Sequence, residues 1–154
     1  MIDTMDIYRA IKETLTDNFS DIPVQTKDIK NPKPPCFYIQ LAADNSIQTA
    51  EIYETSSYNY AVIYFSGEET ILDLLTVKEQ LKTLFQKPLI VTAYDDEEDV
   101  NYVEINSFTT NINEDDYILN CMLEIEHTQN ITDRFESTTD EYIEGITLNL
   151  DIAE

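Results

Sequence analysis

Tyr58-Asn59-Tyr60-Ala61-Val62-Ile63-Tyr64-Phe65-Ser66-Gly67-Glu68-Glu69 is the stretch on which the fold turns. Its first eight residues alternate side to side with a period of two: Tyr58, Tyr60, Val62 and Tyr64 fall on one face, and Ala61, Ile63 and Phe65 on the other. Both faces are apolar. The strand is therefore expected in the middle of a sheet, or with one face against another subunit. Ser66-Gly67-Glu68-Glu69 then breaks the alternation, and the spacing becomes helical over residues 69–86, with Ile71, Leu74, Leu75, Leu81, Leu84 and Phe85 as the apolar stripe. Lys82 and Lys87 suit the negative end of that helix, and Pro88 stops it.

Upstream, residues 4–19 carry Tyr8, Ile11, Leu15 and Phe19 at helical spacing, with Asp3 or Thr4 able to cap the first turn. Ile22 and Pro23 end that unit, and Pro32, Pro34 and Pro35 stiffen the connector that follows. Phe37, Ile39 and Leu41 predict a first strand, Ala43 to Ser46 a turn, and Ile47 to Glu54 a second strand. Downstream, strands are expected at Leu89 to Tyr94, from Val100 to Ile105 and beyond, and at Tyr117 to His127. The order is helix, three strands, helix, three strands. This predicts an α+β domain over residues 1–127, a mostly antiparallel sheet with two helices packed on one face. Residues 128–154 form a C-terminal extension in which Ile146, Leu148, Leu150 and Ile152 alternate with polar residues. That pattern fits one more edge strand of the same sheet, or an arm added to a neighbouring subunit.

The 154 residues carry 31 acids against 9 lysines and arginines, a formal charge of −22. The acidity is concentrated: residues 93–154 hold 18 acids and one base, Arg134. Two clusters stand out, Asp95, Asp96, Glu97, Glu98, Asp99 and Glu114, Asp115, Asp116, both expected in solvated loops. Such a balance argues against gripping nucleic acid or an anionic membrane, because both are held by neutralising phosphates with basic residues. No apolar run approaches the ~20 residues a membrane span needs. The N-terminus lacks a basic segment followed by an apolar one, so a soluble chain without a secretion signal is expected.

The residues for catalysis are sparse. Gly67 and Gly145 are the only glycines, which leaves no phosphate-cradling loop. Cys36 and Cys121 show no metal-ligand spacing, and Asp95 to Asp99 lacks the alternation and turn glycine of a calcium loop. His127 is the only histidine. A thiol–imidazole pair with Cys121 would have to span about 20 Å along one strand, while a pair with Cys36 stays open at this level. No cofactor, metal or catalytic residue is expected. The ten tyrosines are of more interest. Tyr53, Tyr58, Tyr60 and Tyr64, with Ile146, Leu148, Leu150 and Ile152, are candidates for a subunit interface, since tyrosine offers an apolar ring and a wet hydroxyl. Packing inside the chain's own sheet is the competing reading.

Three phrases carry a resemblance. The Met5-Asp6-Ile7-Tyr8-Arg9-Ala10-Ile11 helix, the Pro34-Pro35-Cys36-Phe37-Tyr38-Ile39 approach to the first long strand, and Tyr58 to Phe65 running into a Glu-rich helix start resemble the phage tail terminator (tail completion) proteins of low-GC Gram-positive prophages. The similarity covers about residues 5–127 and has no catalytic signature. It implies a structural subunit, not an enzyme, that closes into a homo-oligomeric ring, usually a hexamer, on the head-proximal end of a tail tube. Its implied partners are further copies of itself, the tail tube protein, a head-side connector or collar protein and, in a contractile tail, the sheath protein. Contractile phage-tail-like bacteriocins use a similar ring. The implied location is the virion tail or such a particle, assembled in the host cytoplasm. On this reading one of the two acidic clusters would line or rim the lumen. The alternative is an acidic DNA mimic that blocks a nucleic-acid-binding protein.

Overall fold

A computed structural model describes residues 1–132. The first helix, α1, spans Thr4–Asn18 and starts where the capping pattern demands: the Asp3 carboxylate accepts from the Asp6 N–H, and the Asp6 carboxylate accepts from the Asp3 N–H. Ile7, Ala10, Ile11 and Leu15 form its buried stripe. The second helix, α2, spans Ile71–Phe85 behind a Thr70 cap. It buries Leu74, Val77, Leu81 and Phe85, while Ile71 and Leu75, on the flank of that stripe, are left exposed.

Six strands complete the fold: β1 Cys36–Ala50, β2 Tyr53–Phe65, β3 Leu89–Ala93, β4 Asp96–Val103, β5 Ile105–Asn113 and β6 Ile118–Asn130. They form an antiparallel four-stranded sheet in the order β1-β2-β6-β5 and a separate antiparallel hairpin, β3-β4. The decisive stretch is thus an inner strand, as its two apolar faces required. On one face Phe37, Ile39, Tyr58, Tyr60, Val62, Tyr64, Leu119, Cys121, Leu123 and Ile125 are buried. Both helices lie on that face: Phe19 packs edge-on to Phe37 at 5.0 Å between ring centres, and Phe85 stacks on Phe108 at 6.5 Å. The α+β class with two helices on one face of a largely antiparallel sheet is therefore what the sequence predicted.

Four features differ from expectation. Ala43 to Ser46 is not a turn. A bulge between Leu41 and Ala43 lets β1 run on to Ala50, and the hairpin reverses at Glu51 and Ile52 instead. Ser46 Oγ and Ser56 Oγ then meet across the strands at 2.9 Å, so the polar residues that looked like a loop form a cross-strand pair. Two strands, not three, precede α2. The first acidic cluster is not a loop either: only Asp95 lies in the turn, and Asp96 to Asp99 belong to β4. A bulge between Thr92 and Ala93 admits them, and the Asp96, Glu97 and Glu98 carboxylates are exposed. The long run after this cluster divides into β4 and β5, which join different sheets, so four strands follow α2. The strand β6 continues past His127 to Asn130, and buried Ile131 donates its N–H to the Ile52 carbonyl at 2.8 Å.

Candidate functional site

The tyrosines separate by burial. Tyr58, Tyr60 and Tyr64 are core residues, at most 5 % exposed, and only Tyr53, 43 % exposed beside the β1–β2 turn, presents its ring outward. For the first three, packing inside the sheet prevails. The hydroxyls of Tyr60 and Tyr64 have partners within the chain. Tyr60 Oη donates to the Thr4 carbonyl at 2.6 Å, and Tyr64 Oη donates to Asp73 Oδ2 at 2.7 Å. Burial pushes both phenols well above their ordinary range. Ser66 Oγ donates to the same Asp73 oxygen at 2.6 Å, so one carboxylate ties the end of β2 to the first turn of α2. Ile146, Leu148, Leu150 and Ile152 lie outside the described residues.

The acidic clusters sit at opposite ends of the four-stranded sheet. Glu114, Asp115 and Asp116 form the β5–β6 turn, where the Asn113 carboxamide accepts from the N–H groups of Asp115 and Asp116 and donates to Asp116 Oδ2. Tyr117 closes that turn in the left-handed region at φ 54°. Asp95 to Asp99 lie on the β3–β4 hairpin beside α1, close to the His127 end of β6. The two ends are nine residues apart along β6, about 30 Å by strand rise. Arg9 reaches the first cluster's rim. It pairs with Asp6 at 3.3 Å and lies over the Tyr94 ring at 5.2 Å, while Tyr94 N–H donates to the same Asp6 carboxylate. Among the described residues Asp99 is the only member of this cluster in an ion pair, 2.6 Å from the N-terminal ammonium. That hydrogen bond lowers its carboxyl below the ordinary range, against a smaller desolvation effect.

No described arrangement supports catalysis. Cys36 pairs with Phe65 and His127 with Ser56, opposite ends of β2, which removes the one thiol–imidazole pair the sequence left open. Burial raises the Cys36 thiol and pushes Cys121 up to about 12, so neither is a thiolate near neutrality. His127 Nε2 is buried without a hydrogen-bond partner, and desolvation lowers its pKa. Among the described residues no group of three or more histidine, cysteine or acidic side chains could hold a metal ion. No described helix is long and apolar enough to cross a membrane.

What remains is surface of the kind that assembles. The face of the large sheet turned away from the helices carries a half-buried stripe of Tyr38, Ile63, Phe65, Ile118 and Met122. On the β3–β4 hairpin Ile90 and Tyr102 form an outward cross-strand pair, 59 % and 72 % exposed. Sequence reading missed this pair, although the period-two pattern that buries Leu89, Val91 and Val103 requires Ile90 and Tyr102 to face away. Among the described residues the domain has two layers, acidic ends and outward apolar side chains. No curated protein matches the chain. A family model described as phage tail terminator protein matches residues 6–138, nearly the whole chain. With that match over this fold, the chain belongs to the phage tail terminator family, structural components of phage tails.

Proposed function

We propose that the protein closes into a ring of six at the head-proximal end of a phage tail or phage-tail-like particle, stops tube polymerisation there and offers the joining surface to a head-side connector or collar. The family match over residues 6–138 carries this reading. The subunit acts structurally rather than as an enzyme, touching the tube protein below and, in a contractile tail or bacteriocin, the last sheath layer. Residues 1–127, with β6 carried on to Asn130, supply the ring body, and the rest of the C-terminal extension, which lies outside the described residues, serves as an inter-subunit arm. One of the two acidic clusters faces or rims the lumen, where like charge keeps DNA from adhering during passage.

Native mass spectrometry and tube capping test the reading together. A closed hexamer of 17.8 kDa subunits has a mass of about 107 kDa, and such an oligomer should bind and cap purified tail tubes. A chain that stays monomeric both free and with tubes, yet binds a nuclease, would establish the DNA-mimic alternative instead. Neutralising Asp95, Asp96, Glu97, Glu98 and Asp99 should preserve the ring and alter DNA passage; loss of the ring would place that cluster in a subunit contact.

A further inference from the structure

Among the described residues the large sheet ends on two edges, β1 and β5, and both are nearly free of charge. In β1 only Asp44 among 15 residues is charged, and in β5 none of nine is, whereas a 26 % charged chain would place about six in 24 positions. Neither edge carries the lysines or prolines that ordinarily block strand addition. Phe37 shows which way the β1 edge faces: it donates to the Pro23 carbonyl and accepts from the Gln25 N–H, so its main-chain groups point outward. Ile39 and Leu41 present theirs to the same side by the strand's alternation. That short contact with residues 23–25 covers only the start of the edge. From Ile39 to Ala50 the outer side of β1 makes no backbone hydrogen bond among the described residues, and the outer side of β5 makes none along its length.

We infer that these edges pair with each other between copies, β1 of one subunit against β5 of the next, so that the sheet continues from subunit to subunit. The inference rests on the ring reading and specifies its contact. Strand direction supports it. The order β1-β2-β6-β5 is antiparallel at every step, so β1 and β5 run in opposite directions and a copy carried round without reversal meets its neighbour antiparallel. The contact is heterologous, as a ring requires. Charge supports it as well. Copies carrying −22 each repel over most of their surface, and the two neutral edges are where they approach at least cost. A basic partner would instead favour β4, with its exposed carboxylates.

Cysteine cross-linking on assembled protein tests the contact. Asn45 and Thr109 are exposed, lie on the edges and face the same side of the sheet, and the native thiols of Cys36 and Cys121 are buried. Adjacent strands lie ~4.8 Å apart, within reach of a short bis-maleimide. The double variant N45C/T109C, bound to tube ends or free as a ring, should give a ladder in steps of 17.8 kDa. A mixture of the two single variants should stop at the dimer, each single variant alone should give no product, and T109K should abolish the ring while leaving the fold's circular dichroism intact. A dimer from N45C alone would mean that two β1 edges meet about a twofold axis, and overturns the inference. An intact ring without any cross-link, or an intact ring of T109K, overturns the edge contact and leaves the ring reading standing. Absence of any oligomer, free or on tubes, removes both.

Discussion

Replacing Asp73 with alanine removes the group on which two buried hydroxyls depend. Tyr64 and Ser66 are 2 % and 4 % exposed, and both donate to the same carboxylate oxygen, at 2.7 and 2.6 Å. Hydrogen bonds to a charged acceptor are worth ~1.5–3 kcal/mol each. Asp73 is only partly buried, so water can enter after truncation and the lower end applies. The two bonds together give about 3 kcal/mol. For a domain of this size that is a fall of roughly 6–12 °C in Tm. Thermal unfolding followed by far-UV circular dichroism measures it, and a double-mutant cycle with Tyr64→Phe isolates one bond. The cycle should return about 1–2 kcal/mol of coupling between the two sites. A loss below about 1 kcal/mol for Asp73→Ala, or no coupling to Tyr64, would refute the assignment of Asp73 as the tie between β2 and α2.

Other substitutions and conditions probe different links. A Cβ built on Gly67 would lie 2.9 Å from Pro35 Cδ, so Gly67→Ala must move a proline ring fixed in the chain and should cost about 1–2 kcal/mol, read as a lower urea midpoint with an unchanged slope. Asp99 has a folded-state pKa below its unfolded value. Its pair with the N-terminal ammonium therefore stabilises fully above the unfolded carboxylate range near ~4 and is lost as pH falls through the lower folded value. Asp99→Asn should flatten the acid limb of the stability–pH curve, and an unchanged limb would contradict the pairing. Both native thiols should resist a disulfide reagent at pH 8 in the folded protein and react together in denaturant. Rapid native labelling of Cys121 would contradict its burial.

The strength of each signal in the sequence followed the physics behind it. Helix α1 was legible because its apolar stripe, cap and terminating Pro23 all agree, and β2 because only an inner strand tolerates apolar residues on both faces. Ala43 to Ser46 misled because turn-forming residues also suit a polar, exposed strand, and the bulge that keeps β1 in register leaves no mark in composition. Four consecutive acids in β4 oppose strand propensity, and of them only Asp96 has a partner across the hairpin, Ala93, the other three falling in the bulge before Val100. The sequence leaves interface and core both open for the tyrosines because the acceptors of Tyr60 and Tyr64, the Thr4 carbonyl and Asp73, are brought near only by tertiary contacts. Yet the same alternation that made β2 a central strand already placed Tyr58, Tyr60 and Tyr64 on its core side.

The N-terminus also fixes a timetable for folding. Ile2 is buried, its N–H donates to Gln129 Oε1 at 2.9 Å, and its carbonyl accepts from Gln129 Nε2 at 2.8 Å. The residues just ahead of α1 are thus clasped by one of the last in β6. At synthesis rates of ~5–20 residues per second, the head of α1 waits roughly 6–25 s for its clasp. From the completion of β2 at Phe65 until β6 is made, β1 and β2 are present without the strand that separates them from β5. Contacts of such long sequence separation fold slowly. The nascent chain thus holds a half-built sheet whose inner strand is still an edge, and a chaperone that shields β2 until Gln129 emerges would act at the point of greatest exposure to misassembly.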